Sequence, residues 1–124
     1  MSSITPLFPD VEIQDGDDLT PLVERQEKLE DLCGVKIGGI SARKWPVDRD
    51  GDTRVRILAE VSSFIGHTLD MHLLVQAIVY DTAGRVIGQY TDTIYATGYR
   101  GLIATDMTLF CRGNPARIVL FPHH

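Results

Sequence analysis

Asp48-Arg49-Asp50-Gly51-Asp52 carries carboxylates at alternate positions, the pattern by which a loop converges oxygen ligands on a hard cation such as calcium. An EF-hand needs glycine at the sixth position of such a loop and glutamate at the twelfth. Those positions hold Thr53 and Ala59, so the EF-hand reading fails. Asp48, Asp50 and Asp52 are left as candidates for a looser calcium site completed by another loop; otherwise they are turn residues with Asp-Gly geometry. Ser62 and Ser63 precede His67 and Asp70, the residue types of nucleophilic catalysis, but no G-x-S-x-G elbow frames them. A polar connection between strands accounts for them more simply. His67, His72, His123 and His124 offer no compact spacing for four-coordinate zinc. Chance pairing is certain among 17 acidic residues, so carboxylate pairs carry no weight. Cys33 and Cys111 fit no metal or redox motif and are expected as free thiols, Cys111 in the core. These residues define no catalytic set and no cofactor.

Residues suited to recognition stand out more clearly. Trp45, the one tryptophan, precedes Pro46 in an expected loop, and Tyr99 and Arg100 lie between Gly98 and Gly101. Trp, Tyr and Arg are the types that carry binding energy at protein interfaces. For Tyr99 the competing expectation is a crossover in which it caps the core together with Leu102. Leu22, Leu29 and Leu32 recur at helical spacing with Glu24, Glu27, Glu30 and Asp31 among them, a narrow apolar stripe that needs a surface to lie on. A sheet face or a second subunit would supply it.

The elements that must position these residues follow from periodicity. Residues 1–18, with Pro6, Pro9 and an acidic end, read as an extended arm. Thr20-Pro21 reads as a helix start and Gly34 as its C′ stop, giving one short helix over 19–33. From Val35 the period changes to two. Alternating segments run from Val35 to about Arg43, Arg54 to Val61, Met71 to Tyr80, Arg85 to Asp92, Met107 to Arg112 and Ala116 to Phe121. Asp81-Thr82-Ala83-Gly84 is a tight turn with Gly84 left-handed, and Gly113-Asn114-Pro115 is read as a second hairpin. Met71 to Tyr80 is apolar on one face and mixed on the other, as in a central strand partly covered on its second side. No helical pattern recurs between strands, so a parallel sheet of βαβ units is not expected. The expectation is a mainly β domain over 35–122: an antiparallel immunoglobulin-like sandwich of six to seven strands with one N-terminal helix, a small barrel being the alternative.

The hairpin Val75-Gln76-Ala77-Ile78-Val79-Tyr80-Asp81-Thr82-Ala83-Gly84-Arg85-Val86-Ile87-Gly88 resembles the central hairpin of FxLYD-type immunoglobulin-like domains: an apolar strand ending in Tyr-Asp, a turn with glycine, an apolar return. Ser63-Phe64-Ile65-Gly66-His67-Thr68 and Arg117-Ile118-Val119 hold comparable places, and the likeness spans about residues 54–121. The motif's phenylalanine is replaced by Ala77-Ile78. The resemblance implies an accessory, non-catalytic module and transfers no functional residue. The PilZ pattern for cyclic dinucleotides is not met, since Arg49 and Arg54 are wrongly spaced and Val61 stands where an acid is required.

Composition sets the outer limits. The chain has 124 residues, 44% hydrophobic and 23% charged, with a net charge of −5. That length suits one domain able to bury roughly two-thirds of its unfolded surface. An acidic chain is a poor sequence-independent nucleic-acid binder, and no apolar run reaches the ~18 residues of a membrane span. The start, Met-Ser-Ser-Ile-Thr-Pro, has no signal-peptide character, which points to the cytoplasm. The functional expectation is a non-enzymatic module for protein–protein interaction or self-assembly, a homodimer included, with Leu22, Leu29, Leu32, Trp45, Tyr99 and Arg100 as interface candidates. The competing expectation is a small-molecule or calcium-binding protein, or an enzyme, using loops 48–52 and 62–70.

Overall fold

In a computed structural model of the chain, residues 17–46, 52–63, 69 and 71–124 are described. The period-two segments form strands that build two four-stranded sheets. The front sheet has the order β1 (Asp17–Asp18), β3 (Val35–Pro46), β4 (Thr53–Ser63), β7 (Leu102–Cys111). The back sheet has the order β2 (Val23–Arg25), β8 (Arg117–His123), β5 (Leu73–Tyr80), β6 (Val86–Ile94). Every pairing is antiparallel except β2 with β8, which is parallel. Each long strand turns one alternate set inward: Val55, Ile57, Ala59 and Val61 from β4 meet Leu73, Val75, Ala77 and Val79 from β5 in the core. Cys111 is buried with them, as its parity predicts.

The fold is thus mainly β, a sandwich with one short helix, and eight strands rather than six or seven because two short N-terminal segments join the sheets. The helix differs from expectation. It is α1, Glu27–Cys33, and the preceding residues form a 3-10 turn (Thr20–Leu22) and strand β2. Thr20 does not cap a helix; its hydroxyl instead accepts the Ala42 N–H at 3.0 Å. Pairing with β8 holds residues 23–25 extended, so the helix starts at Glu27, eight residues later than expected. Gly34 stops it as expected, in the left-handed region at φ 73°.

Two further departures have local causes. Residues 112–116 are not a hairpin but a crossover from the front sheet to the back one. Arg112 N–H donates to Ile87 O at 3.1 Å and Ala116 N–H to Tyr80 O at 2.8 Å, so the backbone is passed to the β5–β6 pair. In β3 the alternation breaks at Gly39-Ile40, where two residues oppose Ala59 of β4 and Gly39 adopts φ +57°. This bulge inverts the parity of everything after it. Val35 and Ile37 point inward, and so does Ala42. Arg43 and Trp45, which would otherwise follow Val35 into the core, lie on the outer face.

Candidate interaction face

The bulge brings Trp45 into register with Arg54 of β4, and Arg54 is in register with Phe110 of β7. The three make one cross-strand row over the outer face of the front sheet. Arg54 Cζ lies 4.8 Å from the Trp45 ring centroid, a cation–π distance. Phe110 is 67% exposed. In the next row Arg43 faces Arg56, and Arg56 faces Thr108. Arg56 donates to both oxygens of Asp106, Nε–Oδ1 at 3.0 Å and Nη2–Oδ2 at 2.8 Å. That paired guanidinium holds the Asp106 carboxyl below its ordinary range, and the carboxylate in turn raises Arg56. Trp45, Arg54, Arg56, Asp106 and Thr108 line an open depression of about 260 Å³. Among the described residues it offers an aromatic ring, guanidinium donors and one hydroxyl, and its one carboxylate is tied in a bidentate pair. Such a set stacks on rings and binds acceptors.

The residues singled out in sequence are dispersed. Trp45 joins this face. Tyr99 is 4% exposed and its hydroxyl donates to Gly101 O at 2.6 Å, so the ring belongs to the core and burial pushes its phenol up. Arg100 beside it is exposed, and Leu102, expected to cap the core with Tyr99, is 57% exposed. Leu22 is half-buried against the core from the 3-10 turn, and Leu29 is half-buried on α1. Leu32 is 80% exposed. The buried residue of the helix is Glu30 instead. Its carboxylate takes Arg25 Nη2 at 2.7 Å, Arg25 Nε at 3.0 Å and the Ile37 N–H at 3.2 Å, joining α1, β2 and β3.

Asp48, Asp50, His67 and Asp70 lie outside the described residues; Asp52 is half-buried beside β4. Ser62 Oγ donates to Lys36 O at 3.5 Å, and Ser63 N–H donates to Gly101 O. His72 accepts the Ala96 N–H on Nδ1 at 2.9 Å. Among the described residues no group of three or more His, Cys, Asp and Glu could hold a metal ion, and both cysteines are free. Nor is any helix among them long and apolar enough to cross a membrane.

Sequence reasoning did not assemble Arg54, Arg56, Asp106, Thr108 and Phe110 into a site. Their outward parity was readable, but their register with Trp45 depends on the β3 bulge. Compared with known proteins, the chain matches no family model, no curated protein and no solved structure. The FxLYD resemblance therefore reduces to the two-sheet sandwich itself.

Proposed function

We propose that this chain is a non-enzymatic, immunoglobulin-like sandwich module that binds another protein through the outer face of its front sheet. The observation that carries this is the Trp45–Arg54–Phe110 row beside the Arg56–Asp106 pair. It places the residue types that dominate interface energetics together on the outer surface at one end of the sheet, with an exposed aromatic ring. The immunoglobulin-like reading is supported by strand order. The orders β3-β4-β7 and β8-β5-β6 correspond to strands A-B-E and F-C-C′, with β2 beside β8 in the place of strand G. Parallel rather than antiparallel pairing of β2 is the departure from that scheme.

The test is selection of peptides from a displayed random library on the folded protein, followed by affinity measurement on Arg54→Glu and Phe110→Ala. Selected peptides are expected to be rich in acidic and aromatic residues and to lose more than about tenfold in affinity for either variant. Selection that yields no binders, or binders indifferent to both substitutions, would refute the reading.

A further inference from the structure

The outer face of the back sheet is built differently from that of the front. A sheet with one face in water normally alternates apolar and polar residues, whereas one covered on both faces reads as near-continuous apolar strands. The front sheet follows the first rule: its outward set includes Arg43, Arg54, Arg56, Glu60 and Asp106. In the back sheet the two inner strands, β5 and β8, follow the second, while β6 turns Gln89, Thr91 and Thr93 outward. Strand β5 is Leu-Leu-Val-Gln-Ala-Ile-Val-Tyr, and its outward set is Leu74, Gln76, Ile78 and Tyr80, all half-buried. Opposite them β8 presents Val119 and Phe121. At the end of β6, Val86 is 56% exposed. The ionic residues of this face, Glu24 and Arg117, sit at one border and bind each other at 2.8 Å, while Arg117 Cζ lies 5.2 Å from the Tyr80 ring. His123 lies at the far end of β8.

We propose that this face is a self-association surface, on which two copies pack their back sheets together about a two-fold axis. Charge decides the occupant. In a two-fold contact every group near the axis meets its own kind, so the arginine-bearing front face would repel a second front face. The back face has an uncharged centre around Gln76 and Ile78 and accepts its own copy without that cost. Area is consistent with this. Strand spacing and rise give the face roughly 400 Å² in projection, so a pair would bury on the order of 1,000 Å², the size of a reversible dimer. This inference does not depend on the binding role of the front face. Together the two would make a bivalent molecule whose binding faces point in opposite directions.

Light scattering after gel filtration, over a concentration series, tests it. The wild type is expected to move from 13.8 kDa toward twice that mass as concentration rises. Gln76 points outward near the middle of the face, so Gln76→Lys and Gln76→Glu each set like charges against each other across the axis. Each should weaken association by more than about tenfold. An equimolar mixture of the two variants should recover the dimer, a result that a merely misfolded variant cannot give. A wild type that stays at 13.8 kDa up to about 1 mM overturns the proposal and leaves the face to a different protein. Equal masses for wild type and both variants overturn it too, since self-association then runs through another surface.

Discussion

Glu30 shows how one residue can hold an element in place. It is 2% exposed, and its two oxygens accept from Arg25 and from the Ile37 N–H. Replacing it by alanine would strip the partner from Arg25 and from a β3 edge donor at once. Glu30→Ala is expected to cost about 2–4 kcal/mol in urea unfolding, while Leu32→Ala, at a solvent-facing position of the same helix, stays within about 0.5 kcal/mol. Cys111 is the other residue whose environment fixes its chemistry. Burial pushes its thiol from 9.0 to about 11, so the folded state favours the neutral form. The resulting stability, on the order of 2 kcal/mol, is complete below pH 9.0 and is lost as pH rises toward 11. Thermal melts between those pH values should show this loss in the wild type and less of it in Cys111→Ala. Native protein at pH 8 should label with a thiol reagent at half-buried Cys33 long before Cys111.

At the scale of elements, the β3 bulge decides which side chains face water. Gly39 stands at φ +57°, and a Cβ there would come within 3.0 Å of Glu60 Oε1. An L side chain in that region costs about 1–2 kcal/mol, so Gly39→Val should lower the urea midpoint accordingly, with the slope unchanged if the register survives. A steeper consequence is optical. Trp45 is the only tryptophan, so a loss of register at the bulge will appear as a shift of its emission. The strands themselves were legible because each alternates over a core face, as β4 does from Val55 to Val61. The helix was less so. Its leucine spacing was real, but Leu22 is half-buried in the 3-10 turn before β2, Leu29 is half-buried on α1 and Leu32 faces water. Pairing with β8, a strand nearly a hundred residues away, reset the helix start, and no local pattern carries that information.

At the scale of the molecule, two sheets of the same chain have opposite outer surfaces. The front is charged and aromatic; the back is apolar over β5 and β8, with uncharged polar residues along β6. Peptide binding to the front should weaken as salt rises, because exposed Arg56 and half-buried Arg43 and Arg54 meet solvent there. Self-association through the back should persist or strengthen under the same conditions, since burial of apolar surface is not screened. The seam at the β6–β7 side keeps these faces on one rigid body. A Cβ at Gly88 would meet Cys111 Sγ at 2.8 Å, and Thr105 Oγ1 donates to Asp92 across the sheets.

The sequence alone determined the six longer strands, the left-handed turn at Gly84, the stop at Gly34 and the core parity of β4, β5 and β7. These rest on short-range periodicity and on backbone preferences that a few neighbouring residues express. Tertiary structure alone decided the face on which Trp45 lies, the burial of Glu30 in place of Leu32, and the crossover at residues 112–116. Each depends on which distant backbone supplies hydrogen-bond partners: Leu58 to Glu60 for the bulge, Ile37 for Glu30, Tyr80 and Ile87 for the crossover. A one-residue change in such pairing turns every later side chain of a strand to the other face, so a site spread over β3, β4 and β7 could not be read from any of them singly.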